Sequence, residues 1–330
     1  MLIALTGDWH LTNRPEDAYR WEFLSWLRDK KFDALIILGD LTDRKDHHDS
    51  VFLNRVIDEL LQFVDLGRDV HILMGNHDYS DPTSPFFKFI GHYRNCYYHA
   101  VPQIWELGNA RWAFYPHSRD PAEYWESMNN GVNVGVQYTL CHQVFDGAIS
   151  ESGRELVGHA GQFLSGAGKI YAGDVHVPQK VGPIEYVGAP YPINFGDDFT
   201  PRIVLVDIGT GERKSIYPPH IKKVKLNITD PEQIEFTHGW RPHDQVKVTL
   251  QLTRGSLGKW DKYRRKIQRV CARNELVLCG IELKLRTRER LSAERNVAVP
   301  ITPQEQYDSY CKQRRVAASD RRYGKLLLEN

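Results

Sequence analysis

Side chains that bind metal ions recur directly after apolar segments of this chain. Asp8 and His10 stand two residues apart after the first such segment, so in an extended backbone both would point to the same side. Asp40 follows the second segment, and Asn76-His77-Asp78 follows the third. Carboxylate and imidazole groups bind divalent cations, so the pattern indicates a metal site.

Two later pairs repeat the pattern. Cys141-His142 follows an apolar segment at 136–140, and Asp174 and His176 follow another at 169–172. The first pair would also suit a cysteine nucleophile with a histidine base, an alternative that a metal role for His142 disfavours.

The segments before these side chains alternate between strand and helix patterns, which is typical of a layered α/β domain. Strands are predicted at 2–6, 34–38 and 70–74, with helices at 18–30 and 53–64 between them. Further strands are predicted at 103–107, 112–115, 135–141, 169–172, 180–187 and 203–208. Sites in open α/β sheets form at the carboxyl ends of the strands, so the candidate ligands are expected to converge there.

The composition excludes several classes of protein. With 330 residues, 41% of them hydrophobic and 26% charged, the chain is neither disordered, collagen-like nor a coiled coil. Its apolar runs are far shorter than the roughly 18 residues of a membrane span. The first residues lack a signal-peptide pattern, so we expect a cytoplasmic protein, or one of the host cytoplasm if phage-encoded. Five cysteines without C-x-x-C spacing argue against a disulfide framework and a zinc ribbon.

The net charge of +1 conceals two unlike parts. Residues 1–200 contain 16 basic and 27 acidic side chains, whereas residues 201–330 contain 27 and 15. We therefore predict a domain at 1–219, a compact β-β-α-β module at 220–285, and a charged linker with a helical tail at 286–330. A basic module suggests a polyanionic partner, although unlike surface charge alone would also account for the difference.

The motifs together resemble the calcineurin-like metallophosphoesterase superfamily. They are D-x-H at 8–10, G-D at 39–40, G-N-H-D at 75–78, His142, and G-D-x-H at 173–176. Within that superfamily, residues 142–143, 173–179, 186–190 and 195–197 resemble the SbcD-type DNA repair exonucleases. The resemblance implies an α/β fold, a four-layer sandwich of two mixed sheets flanked by helices. The module at 220–285 resembles that family's DNA-capping domain in layout only.

The resemblance also implies two divalent metal ions, with Mn²⁺ favoured and Mg²⁺ as the alternative. It assigns Asp8, His10 and His176 to one ion, Asn76, His142 and Asp174 to the other, and Asp40 to both. Asp174 stands where the family usually has a histidine, which makes the site more acidic and favours harder ions over loss of the site. The alternative is that this change weakens one of the two metal positions.

Catalysis is expected from His77, which resembles the histidine of the family that protonates the leaving oxygen or stabilises the transition state, with Asp78 orienting its imidazole. DNA phosphates are expected to contact basic side chains on a helix predicted at 256–273 and on the loop after Asp40. These are Lys259, Lys262, Lys266, Arg269, Arg273, Lys45 and His47. A solvated charged surface is the alternative for each group.

The resemblance implies a metal-dependent DNA exonuclease and endonuclease that acts on linear DNA ends, single- or double-stranded. An SbcC-like ABC ATPase would bind the C-terminal helices, whose apolar face could instead pack on its own domain, and two copies could form a homodimer. The alternatives are another metallophosphoesterase, a phosphatase or small-molecule phosphodiesterase, and a non-catalytic DNA-binding scaffold.

Overall fold

The computed structural model describes residues 1–121, 123–125, 135–160, 164, 168–229 and 239–285, followed by Tyr307, Asp308, Cys311 and Val316. The chain forms two compact units, Met1–Leu285 and Arg286–Asn330. Apart from those four residues, the predicted tail and its partner-binding helix lie outside the described residues. Within the described ranges, no helix has the length and apolar content that a membrane crossing needs.

Strands and helices are labelled in chain order. The strands of the described part are β1 (Leu2–Thr6), β2 (Ala34–Ile37), β3 (Asp69–Leu73), β4 (Cys96–His99), β5 (Gln103–Leu107), β6 (Ala110–Tyr115), β7 (Tyr138–His142), β8 (Lys169–Gly173), β9 (Gln179–Val181), β10 (Ile184–Tyr186), β11 (Ile203–Asp207), β12 (Arg213–Ile216), β13 (Lys223–Ile228), β14 (Gln245–Leu252) and β15 (Val277–Leu285). The α-helices described are α1 (Ala18–Arg28), α2 (Ser50–Asp65) and α3 (Trp260–Arg273).

The first sheet has six strands in the order β12-β11-β1-β2-β3-β4. Strands β1 to β4 are parallel, and β11 and β12 are antiparallel to their neighbours. Thr6 pairs with Ile37 and Ile37 with Ile72, so the three loops that carry the first candidate ligands leave the sheet side by side. Sequence patterns did not predict β4 or β12, since β4 is short and β12 is polar and half exposed.

The second sheet has the order β5-β6-β7-β8-β10-β9, with parallel central strands and an antiparallel strand at each margin. His142 ends β7, and Asp174 directly follows β8. The single strand predicted at 180–187 was wrong. It is divided into β9 and β10 by a turn at Gly182, whose positive φ of 55° suits a residue without a side chain.

Alternate residues of β1 face opposite sides of the first sheet, which creates the layers. Ile3 and Leu5 pack between the two sheets against Trp112 and Phe114, while Ala4 faces the helical layer of α1 and α2. A third apolar cluster covers the outer face of the second sheet. Burial of this apolar surface stabilises the predicted sandwich of two mixed sheets flanked by helices, which is confirmed.

A separate three-stranded parallel sheet, β13-β14-β15, is covered by α3. Its core joins Val246, Val248 and Leu250 of β14 to Tyr263 and Ile267 of the helix. The order is the predicted β-β-α-β, although the helix predicted from residue 256 begins as a 3-10 helix at Arg254–Lys259. These elements belong to the same compact unit as the two large sheets, so the boundary at 219–220 stays a prediction.

Candidate metal centre

Backbone strain is concentrated at the candidate ligands. Asp8, His10, Asp40 and Asp174 have positive φ angles of 55°, 42°, 54° and 77°. Residues with a β-carbon rarely adopt this region, which costs on the order of 1 kcal/mol or more each. Such conformations persist where the surrounding structure imposes them, and here they turn the side chains at the ends of β1, β2 and β8 toward one point.

Glycines allow these loops to approach closely. A β-carbon at Gly39 would overlap the imidazole of His142, and one at Gly75 would overlap Asp40. Gly39 also has a φ of 94°, which a larger residue adopts only under strain. Loops from the two sheets therefore come into close contact at the carboxyl ends of the strands, where the candidate ligands lie.

The carboxylate of Asp40 lies at the centre of the cluster. Its oxygens are 3.3 Å from Nε2 of His10 and 3.4 Å from Nε2 of His142. The same His142 nitrogen is 3.8 Å from Oδ1 of Asp174 and 3.1 Å from the side-chain amide of Asn76. Asp8, His10 and His176 each offer a ligand atom within 4.8 Å of the others. The structure thus brings the seven predicted ligands together.

Unpaired buried atoms in this cluster fit a bound cation. Among the described residues, Oδ2 of Asp8 and Nδ1 of His10 have no hydrogen-bond partner, although both residues are buried. Leaving a buried carboxylate unpaired is costly, and a divalent cation would satisfy it. Oxygen and imidazole donors suit Mn²⁺ and Mg²⁺. The residues present therefore fit a divalent metal site.

The electrostatics lead to the same conclusion. Burial raises the pKa of Asp8 to about 7, an effect that His142 and His176 only partly oppose. Burial would also raise the pKa of Asp40, but the imidazoles of His142, His10 and His77 lower it below its usual range. Although burial lowers the pKa of His142, the carboxylates around it raise the value to about 9. Without a cation, protons must compensate this concentration of carboxylates.

His77 lies beside the cluster, and the residue that orients its ring is not the predicted one. Its backbone N–H donates to Oδ1 of Asp40 at 2.8 Å, and its ring packs edge-on against His10 with centroids 4.7 Å apart. The backbone carbonyl of Asp43, 2.9 Å from Nδ1, orients the imidazole.

Asp78 was predicted to orient that imidazole, and the structure corrects this prediction. Its buried carboxylate accepts hydrogen bonds from the backbone N–H groups of Asp40, Leu41 and Gly75, at 3.0, 3.0 and 2.7 Å. Buried backbone N–H groups need an acceptor, and the carboxylate of Asp78 supplies it for the two tight loops. Asp78 therefore joins the loops after β2 and β3 and does not contact the reacting groups through His77.

Glu151 contacts a candidate ligand, although no sequence pattern predicted it. Its Oε1 lies 2.7 Å from Nδ1 of His176, which leaves Nε2 of that ring as the free nitrogen. Burial lowers the pKa of His176, but Glu151 together with Asp8 and Asp40 more than offsets this, and the value rises to about 9. Glu151 lies in a turn without a recognisable motif, so no local signal could have found it.

The predicted DNA-binding residues lie on other elements. Lys45 and His47 are exposed on the loop after Asp40, and His47 lines a cavity of about 290 Å³ together with Arg14 and Asp43. Lys259, Lys262, Arg269 and Arg273 are exposed on α3 or just before it, whereas Lys266 is half-buried. Arg265, outside the predicted set, shares an open groove of about 600 Å³ with Lys262 and Arg269.

Comparisons with known proteins find a curated sequence relative and a number of solved structures, including the two that follow. Exonuclease subunit 1 of Enterobacteria phage T4 is 21% identical over 229 residues, 61% of this chain and 63% of that protein. The chain thus spans less than two thirds of that relative's length. A novel archaeal phosphodiesterase has a TM-score of 0.38 at 14% identity, covering 66% of this chain and 99% of its own. GAP50, the anchor in the inner membrane complex of Plasmodium, has a TM-score of 0.40 at 9% identity, covering 68% and 90%.

The family model for calcineurin-like phosphoesterases matches residues 1–178, more than half of the 330 residues. This stretch contains β1 to β8 and the candidate ligands from Asp8 to His176. The chain belongs to the calcineurin-like phosphoesterase family.

Proposed function

We propose that this protein is a metal-dependent DNA nuclease that hydrolyses phosphodiester bonds at DNA ends, as exonuclease and endonuclease. The observation that supports it most is the cluster of seven candidate ligands, four of them buried, in a chain similar to a phage exonuclease subunit. Proteins of this family use a dinuclear metal site, and phosphodiester hydrolysis is chemistry that such a site performs.

The proposed ligands divide between two ions. Asp8, His10 and His176 would hold one, Asn76, His142 and Asp174 the other, and Asp40 both. The position of Asp40 between His10 and His142 supports the shared role. The ions, which we propose to be Mn²⁺ with Mg²⁺ as the alternative, would supply an activated water and neutralise phosphoryl charge.

His77 would deliver a proton to the leaving oxygen. With Nδ1 directed at the Asp43 carbonyl, Nε2 remains the nitrogen that can hold and release a proton. A ring nitrogen of His77 lies within 4.8 Å of ligand atoms of His10 and Asp40, which places it beside the reacting groups. The hydrogen bond to Asp43 would keep the ring in this orientation through the reaction.

The basic side chains would bind the DNA backbone. Lys262, Arg265 and Arg269 line one groove on α3, and Lys45 and His47 lie on the loop after Asp40. Contacts of this kind position DNA without reading its sequence. The proposal further includes an SbcC-like ABC ATPase bound by the C-terminal segment, a homodimer, and a cytoplasmic location.

A comparison of His77→Ala with wild type tests the nuclease. End-labelled linear duplex DNA is incubated with Mn²⁺, with EDTA as the metal-free control and His92→Ala as the matched control, since His92 is exposed. We expect wild type and His92→Ala to digest the DNA. His77→Ala should lose on the order of 10²- to 10⁴-fold in kcat while binding the same number of Mn²⁺ ions in calorimetry.

Other outcomes would contradict the proposal in distinct ways. Hydrolysis of bis(p-nitrophenyl) phosphate while the DNA stays intact would indicate a small phosphodiester as the substrate. Binding of DNA without hydrolysis of either substrate would indicate a scaffold.

A further inference from the structure

A buried polar network connects the small sheet to the loop that carries His10. Asp17, Arg20 and Lys223 are 2%, 3% and 6% exposed, although all three are charged side chains. Lys223 is the first residue of β13, whereas Asp17 and Arg20 lie in the segment that begins α1. Charged side chains are rarely buried unless they are paired, so the loss of one of these three would leave its buried partners uncompensated.

Arg20 holds the backbone of His10. One guanidinium nitrogen, Nη1, donates to the carbonyl oxygen of His10, and Nη2 lies 3.5 Å from Oδ1 of Asp17. The N–H of His10 donates to the carbonyl of Asp40 at 2.9 Å. His10 is therefore held at both ends in the left-handed conformation, with a φ of 42°, that places its imidazole in the cluster.

Lys223 completes the network from the other side. Its Nζ lies 3.7 Å from the Asp17 oxygen that Arg20 also faces, and donates to the carbonyl of Ile193 at 2.9 Å. Its carbonyl accepts from the N–H of Gly196 at 3.1 Å. A second contact between the same regions is the amide of Gln245, which donates to the carbonyl of Glu16. The start of β13 is thus attached to the ligand loop through one shared carboxylate.

Replacement of Lys223 by an uncharged residue would leave Asp17 with one cationic partner fewer. Asp17 would keep Arg20 as its nearby cation and the hydroxyl of Thr12, 2.7 Å away, as a donor. The guanidinium would then be attracted more strongly toward Asp17 and away from the His10 carbonyl, which would release one end of a strained residue.

We propose that Lys223, Asp17 and Arg20 are positioning residues that hold His10 in its metal-binding conformation. The metal centre then depends on the contacts of the small sheet with the segment that begins α1. This inference rests on the metal site of the proposed function. It makes the module at 220–285 part of the metal-binding apparatus, in addition to any contact with DNA.

The test compares Lys223→Met with Lys225→Met in the full chain. Lys225 is exposed on the same strand and serves as the matched control. Titration calorimetry with MnCl₂ should show about tenfold weaker affinity at one site for Lys223→Met, since residues behind the ligands affect metal affinity by about 10- to 100-fold. Lys225→Met should bind as wild type, and Lys223→Arg, which keeps the charge, should restore most of the affinity.

A structural role alone would give a different result. If Lys223→Met melts at a lower temperature in EDTA but binds Mn²⁺ as wild type does, the inference is wrong. Should Lys223→Met fail to fold, Arg20→Lys provides the second variant, because its shorter side chain keeps the charge and loses the fork that joins Asp17 to His10. Unchanged Mn²⁺ affinity in that variant would also overturn the inference.

The same calorimetry separates this inference from the proposed function. A wild-type protein that binds two Mn²⁺ ions but leaves DNA intact would contradict the nuclease only. A wild-type protein that binds no Mn²⁺ would contradict both.

Discussion

Single side chains around the cluster are oriented by residues from distant parts of the chain. His176 is held by Glu151, His77 by the carbonyl of Asp43, and His10 by Arg20. Partners that lie behind metal ligands fix the ring orientation and leave one nitrogen free for the ion. The geometry of the site therefore depends on more residues than the ligands themselves.

Substitution of Glu151 tests this at a single residue. We expect Glu151→Ala to weaken Mn²⁺ affinity about tenfold, because Nδ1 of His176 loses its carboxylate and the ring can rotate. Titration calorimetry measures the effect, with Glu155→Ala as control, since Glu155 is exposed on the same hairpin. Equal affinities of the two variants would show that the contact does not support the ligand.

At the scale of secondary structure, the site depends on how closely the strand ends approach one another. The loops after β1, β2 and β3 leave one sheet, and His142 and Asp174 come from the other. Gly39, Gly75 and Gly173 stand where these elements meet. The absence of side chains at these positions is what allows ligands from two sheets to share one point.

Gly39→Ala should disrupt the site, because the new β-carbon would overlap His142. Gly67 is the matched control, since it also has a positive φ, 78°, but no atom lies within 4 Å of where its β-carbon would be. We expect Gly67→Ala to cost about 1 kcal/mol of stability through strain alone and to keep its Mn²⁺ affinity. Gly39→Ala should cost more in urea unfolding and bind Mn²⁺ more weakly. Equal effects of the two changes would argue against close packing at Gly39.

The basic side chains of α3 lead to a prediction about how the affinity for DNA depends on salt. If Lys262 and Arg269 contact phosphates, replacing both by alanine should reduce the slope of log K against log[salt] by about 1.8, or 0.9 for each contact. Fluorescence anisotropy of a labelled duplex in EDTA measures the slope without cleavage. Lys31→Ala with Lys88→Ala, both exposed and outside the module, is the control. A slope unchanged in the α3 variant would place the DNA elsewhere.

At the scale of the whole molecule, the packing of the sheets buries a pair of histidines. Nδ1 of His71 in β3 lies 3.0 Å from Nε2 of His99 in β4, and Gln103 donates to the other His99 nitrogen at 2.6 Å. The donation from Gln103 places the His99 proton on Nε2, which then donates to His71. Burial lowers the pKa of His71 to about 3, and burial and His71 lower that of His99 well below its usual value.

This pair makes the folded protein less stable as the pH decreases. Both histidines are neutral when folded and ionise near pH 6.5 when unfolded, so protons bind the unfolded chain preferentially below that pH. Their contribution is complete above about pH 6.5 and decreases by about 1.4 kcal/mol per pH unit for each ring as the pH falls toward 3. Urea unfolding of the metal-free protein at pH 7.5, 6 and 5 should show a shallower pH dependence for His71→Gln than for wild type or His92→Gln. Identical slopes would show that His71 is not buried in the neutral form.

Much of the site could be predicted from local sequence. The glycine and ligand pairs follow apolar segments, and a strand that ends in a sharp turn places those side chains at the end of its sheet whatever lies around it. The two mixed sheets were expected from the family resemblance that those same motifs show. The strands β4 and β12 were missed because a short strand and a polar one have no hydrophobic periodicity to detect.

The sequence by itself determined most of the strands and helices, the side chains that stand at the ends of the ligand-bearing strands, and the family to which the motifs belong, because these depend on neighbours a few positions apart. Only the tertiary structure decided their partners. Asp78 turns to three backbone N–H groups and not to the adjacent His77, Glu151 contacts His176, and Lys223 contacts Asp17. Such contacts join side chains on different elements, and packing of two sheets sets their distances, which no local pattern encodes.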